Sequence, residues 1–201
     1  MSVALPEVLK TTTGQILLAM AGVLRKAAAH AAERNIPEEN ILGARLAPDM
    51  FNMARQVQIA TDMAARGAAR LSGSEFLSLP DTETTFEQLI ERVMKAHAFI
   101  QAASNEAIEA NDQQVMQIPV GPETRDMTGR AYLLNFVLPN FYFHATTAYA
   151  LLRHNGVSLS KRDFLVPAWG TRPVGTVTCA GRLGPRRPAW ARSPASAGCR
   201  R

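Results

Sequence analysis

Cysteine and tryptophan are both missing from the first 165 residues. Cys179, Cys199, Trp169 and Trp190 all lie beyond Leu165. A stretch without thiols has no disulfide framework, no thiolate zinc site and no cysteine nucleophile. It also lacks any apolar run near the roughly 18–20 residues that span a bilayer. The apolar stretch Ile16–Leu24 is short, has no basic segment ahead of Lys10 and runs into Arg25 and Lys26. That is not the pattern of a signal peptide, and a cytoplasmic protein is expected. No G-x-G-x-x-G turn, P-loop, G-x-S-x-G elbow, H-x3-H or H-E-x-x-H occurs, so the common signatures of nucleotide binding, serine hydrolysis and helical zinc sites are absent.

Acidic residues are missing from the other end of the chain. Residues 166–201 hold seven arginines (Arg172, Arg182, Arg186, Arg187, Arg192, Arg200, Arg201) and no Asp, Glu or Lys. All 17 acids therefore face only 15 of the 22 basic residues within 1–165, which makes that body slightly acidic although the whole chain is at +5. The expected division is a folded domain over 1–165 and a disordered Arg/Pro/Gly-rich tail over 166–201. The tail's composition is what GC-rich DNA yields in a wrong reading frame, so it is read as a frameshifted or read-through extension. A nucleic-acid partner is expected only if this basic tail is genuine, since phosphate binding would rest on its arginines.

What is present over 1–165 is helical periodicity. Leu9, Thr13, Ile16, Leu17, Met20, Leu24, Ala27, Ala28 and Ala31 recur at i, i+3, i+4, i+7 and predict a helix over Leu9–Arg34, closed by Asn35 and Pro37. Residues 38–46 can add a short helical turn. A second helix is expected from Pro48-Asp49 to Gly73, with Met53, Val57, Thr61, Ala64, Ala68 and Leu71 inward and Arg55, Asp62, Arg66 and Arg70 away from that face. A third begins behind a Thr84 or Thr85 cap, with Glu87 or Gln88 available for a capping box, and fades near Ser104. Gln114–Val120 alternates, Gly121-Pro122 turns and Thr124–Met127 can return, which predicts a small hairpin.

The fourth helix is expected from a Thr128 cap to Gly156. Tyr132–Phe143 is apolar almost all round and reads as an interior segment, with a kink where Pro139 removes the donor to the Asn135 carbonyl. The expected fold is all-α: an antiparallel four-helix bundle with a small β-hairpin before the last helix.

Five blocks carry a resemblance: LAPDMFNMARQVQ (46–58), DTETTF (81–86), TGRAYLLNFVLPNFYFH (128–144), HATTAYALLRHNG (144–156) and KRDFL (161–165). Together they resemble an uncharacterised bacterial domain-of-unknown-function family within the DinB-like superfamily, over about residues 1–165. The resemblance implies a four-helix bundle, often dimeric, related to thiol-linked transferases and hydrolases. Many members hold a divalent metal (zinc, nickel or iron) with one histidine on the second helix and an H-x3-H pair on the fourth. Here only His144 matches. Asn140 stands where the first histidine of the pair would be, and Gln56, Gln58 and Ile59 occupy the stretch of the second-helix histidine. Asn and Gln are weak neutral ligands, so a tight site would need a carboxylate as well.

Asn140, His144 and Thr147 share one face of the fourth helix, and with Gln58 they form the candidate ligand-binding patch. The competing reading is a buried histidine and asparagine that satisfy each other or the carbonyls opened by Pro139. His154 suits a helix C-terminus, His97 reads as boundary packing and His30 as solvated. Asp81, Glu83 and Glu87 form an acidic cluster at a helix start, where acids are stabilising without catalysis. The expected function is a small-molecule-binding or stress-associated protein without a complete three-histidine site; a homodimer and no membrane partner are expected. The alternative is a metal-dependent hydrolase or transferase with His144 as a metal ligand.

Overall fold

A computed structural model of the chain describes residues 3–165. The expectations for residues 166–201 lie outside the described residues. Helix α1 spans Leu5–Arg34, one turn longer than the periodicity suggests. Pro6 sits in its first turn, where a missing N–H costs no hydrogen bond. Asn35 ends it in the left-handed region at φ 53°. A short α2 (Glu38–Leu42) follows. Helix α3 (Met53–Ser72) starts later than Pro48-Asp49, because the Asn52 side chain accepts the Arg55 N–H and supplies the cap. Gly73 closes it at φ 69°, where a side chain would be strained.

Helix α4 (Phe86–Ala102) begins with the reciprocal Thr85–Gln88 capping box. Ser104, where this helix was expected to fade, instead caps a further helix, α5 (Asn105–Ala110). Strands β1 (Val115–Val120) and β2 (Glu123–Thr128) pair antiparallel in the register Val120↔Glu123 to Val115↔Thr128. Their two-residue turn places Gly121 at φ 60°.

The last long helix is interrupted. Thr128 caps α6 (Gly129–Tyr132), a π-helical turn runs over Leu133–Val137, and α7 spans Leu138–His154. The disturbance predicted from Pro139 takes this form: just upstream of the proline the Leu138 N–H reaches back to the Leu133 carbonyl. KRDFL folds into α8 (Lys161–Leu165), tied to α1 by Lys26–Asp163 at 2.6 Å.

The described residues are mostly helical with one small two-stranded sheet. Helix α1 packs along α4, and α3 packs along both α7 and α4. Leu9, Leu17 and Leu24 meet Val57, Ala64, Leu71, Phe86, Leu89, Val93, Val137, Phe141 and Leu151 in one core. Fully burying each large apolar side chain contributes about 1.5–3 kcal/mol. Two glycines mark close approaches. A Cβ on Gly67 of α3 would lie 2.8 Å from Val137 Cγ1, and one on Gly129 would lie 2.1 Å from the Asn111 carbonyl oxygen.

The interior position expected for Tyr132–Phe143 is corrected. Leu134 is 42% and Phe143 57% exposed, and Asn135 and Pro139 are also open. Helices α3 and α1 cover this segment on some sides only, so its all-round apolar character is not matched by all-round burial.

Candidate functional site

The four residues expected to share a patch each bond to a different partner. His144 is half-buried on α7, and its Nδ1 lies 2.7 Å from Gln56 Oε1 on α3. Gln56 Nε2 donates to the Phe51 carbonyl at 3.1 Å, which turns Oε1 toward the histidine. Nδ1 therefore carries the proton and donates. Burial first, and then the positive charge of Arg55, hold His144 below its ordinary value of 6.5, so the ring is neutral at pH 7. Asn140 does not bond to His144. Its Nδ2 donates to the Phe136 carbonyl at 2.7 Å, one turn back beside the π turn. Thr147 Oγ1 likewise donates to the Phe143 carbonyl at 2.7 Å. Both polar side chains are used within their own helix.

Gln58 belongs to a different neighbourhood. Its Nε2 donates to Glu83 at 2.9 Å, and its Oε1 accepts from Arg55 at 3.3 Å. Beside it lies Arg92 of α4, only 2% exposed. Arg92 Nε donates to Thr61 Oγ1 (2.8 Å) and Nη1 to Glu83 (2.9 Å) and to the Leu79 and Pro80 carbonyls (3.2 and 3.0 Å). Nη2 reaches Asp62 at 2.6 Å and Asp81 at 3.1 Å. Arg55 pairs with Asp81, and Arg66 approaches Asp62 at 3.6 Å.

The acidic cluster ahead of α4 is thus not a free acid–base set. Asp81 and Glu83 neutralise a buried guanidinium, while Glu87 stays exposed. Asp62, expected to project away from the core, turns toward α4, because α3 is covered by α7 on one flank and by α4 on another. Burial raises the Asp62 carboxyl above its ordinary 3.8, against the lowering effect of Arg92 and Arg66. Arg92 had a signal in the sequence. It stands at i+3 from Leu89 and one before Val93, inside the apolar stripe, downstream of Asp81, Glu83, Glu87 and Glu91.

By holding the Leu79 and Pro80 carbonyls, Arg92 fastens the segment between α3 and α4 over the outside of α3. Under this strap lies a cavity of about 670 Å³. Its walls come from α3 (Asp62, Met63, Arg66, Arg70), the strap (Phe76 to Pro80), β1 (Ile118, Pro119), and Tyr132 and Phe136 at the π turn. Arg70 Nη1 donates to the Gln117 carbonyl of β1 at 2.8 Å. Its guanidinium lies 5.8 Å from the ring centroids of both Phe76 and Tyr132. Sequence reading missed this cavity. Its residues come from four separate stretches, and no local pattern announces their meeting.

The three-histidine metal centre implied by the resemblance does not fit these residues. His144 is engaged with the Gln56 amide, Asn140 presents an amide that serves a backbone carbonyl, and Arg55 adds positive charge nearby. Among the described residues no group of three His, Cys, Asp or Glu is gathered as a metal site.

The model of a family described as a domain of unknown function (DUF1993) matches residues 7–165. No curated protein matches the chain. A crystal structure of a DinB family member protein from Shewanella denitrificans is similar, with 32% identity and a TM-score of 0.74. The likeness covers 92% of this chain and 96% of that one.

Proposed function

The chain belongs to the DUF1993 family, a DinB-like family of domains of unknown function, and from that premise we propose that it is a small-molecule-binding protein built on an antiparallel four-helix bundle. The observation that carries this reading is the cavity of about 670 Å³ under the strap. Such a volume lies within the roughly 300–1,000 Å³ usual for small-molecule sites, and its wall joins apolar side chains to convergent polar groups. The long pairs α1/α4 and α3/α7 support the bundle. The reading includes a homodimer, supported by the exposed apolar side chains Leu46, Phe51 and Phe143. It also includes a cytoplasmic location, with no helix among the described residues long and apolar enough to cross a membrane.

The metal-dependent hydrolase or transferase is kept as the alternative. A melting-temperature screen of divalent metals, thiol cofactors and metabolites separates the two. A ligand at 100 times its Kd raises stability by about 2.7 kcal/mol, which the screen registers readily. The cavity reading expects an organic ligand whose effect disappears in Met63→Trp, a substitution that fills the space beside α3. Stabilisation by a divalent metal alone, lost in His144→Ala and kept in Met63→Trp, supports the alternative and overturns the cavity reading.

A further inference from the structure

The cavity holds a cation without a counter-charge. Arg66 leans on Asp62, and Asp62 is committed to Arg92. Arg70 has no carboxylate within 4 Å among the described residues; its one hydrogen bond goes to the Gln117 carbonyl. The Phe76 and Tyr132 rings and that strand carbonyl hold the guanidinium in place, and its remaining N–H groups are left for a further acceptor.

A second, independent observation lies beside it. Tyr132 is only 3% exposed, and its hydroxyl makes no hydrogen bond among the described residues. No side-chain oxygen or nitrogen there is both sealed from the surface and without a partner. The Tyr132 hydroxyl therefore opens onto the cavity that the ring lines. A nearly buried phenol with no internal partner gains most from an acceptor brought by a ligand. Met63, Phe76, Leu77, Ile118 and Phe136 supply the apolar part of the wall.

We propose that the cavity binds an organic anion with an apolar body, a carboxylate or sulfonate on an aromatic or branched aliphatic frame. The acidic group meets Arg70, with the Tyr132 hydroxyl as a second donor, and the frame covers the apolar wall. This rests on the reading of the cavity as the binding site. A bare inorganic anion would leave the apolar wall wet. A neutral ligand would strip water from Arg70 without returning a charge, which is costly.

Two fluorescent probes test the charge and the cavity separately: the aromatic sulfonate 8-anilinonaphthalene-1-sulfonate and the uncharged 1-aminoanthracene. Each is titrated into the full chain and into Arg70→Gln, Arg70→Lys and Met63→Trp, with circular dichroism melting to show that each variant folds. Met63→Trp is expected to abolish binding of both probes. A charged hydrogen bond is worth enough that Arg70→Gln should weaken the sulfonate roughly tenfold or more, while the neutral probe stays within about twofold. Arg70→Lys, which keeps a point charge, should recover part of the sulfonate affinity. Equal effects of Arg70→Gln on both probes overturn the anion and leave the cavity reading standing. Unchanged binding of both probes in a folded Met63→Trp overturns the cavity reading itself, as does a full chain that binds neither.

Discussion

At the residue scale, Arg92 is the side chain on which most else depends. One guanidinium satisfies Asp62, Asp81, Glu83, a threonine hydroxyl and two strap carbonyls. Removing one partner of a buried ionic group is far costlier than never having built it, because the others stay desolvated. Arg92→Met is expected to lower unfolding free energy by about 3–5 kcal/mol in urea titrations; a loss below about 1 kcal/mol would mean that water replaces the guanidinium freely. Two of the half-buried histidines give a pH prediction. His97 and His144 are both held below 6.5, His97 by burial and His144 by burial and Arg55. Below 6.5 the unfolded chain takes up protons that the folded chain refuses, so stability is full above that pH and falls as pH drops from it toward the lowered folded-state values. His144→Gln should flatten part of this slope in urea midpoints measured from neutral to mildly acid pH. A slope unchanged by the substitution would remove His144 from the account.

At the scale of elements, the signals that worked were local. Thr85 with Gln88, Gly73, Gly121 and Thr128 each end or start an element through contacts within a few residues, and those positions are legible in sequence. The later start of α3 and the extra helix α5 were not, because Asn52 and Ser104 outcompete neighbours with similar capping chemistry. Gly129 carries the sharpest element-level prediction. A methyl there meets the Asn111 carbonyl, which is backbone and cannot rotate away, whereas at Gly67 it meets only the Val137 side chain. Both alanine substitutions crowd the packing, at about 1–3 kcal/mol, and Gly129→Ala should be the more damaging in thermal unfolding. The reverse order would show that the loop at Asn111 yields more easily than α3 does against the π turn.

At the scale of the molecule, the exposed side of α7 is where the proposed homodimer can be tested. Phe143 is 57% exposed and packs edge-on against the His144 ring at 5.2 Å. If the proposed homodimer uses this side, Phe143→Glu should shift sedimentation velocity from dimer to monomer with the helical signal retained. A dimer that survives the charge places the interface elsewhere. The family was legible in five sequence blocks, and the family match over residues 7–165 and the DinB structure agree with that reading.

The sequence by itself determined the four long helical stretches, several of their ends, the hairpin, the family and the absence of two of the three expected histidines. All of these are properties of near neighbours in the chain or of residue identity. Only the tertiary structure decided that His144 pairs with Gln56 rather than Asn140, that three distant acids surround Arg92, and that Arg70 and Tyr132 share a cavity. The reason is physical. A helical pattern says which side of a helix is apolar, but a helix held between two neighbours has two inner sides. Which polar side chains meet across them depends on relative position and rotation, which arise only when the helices pack.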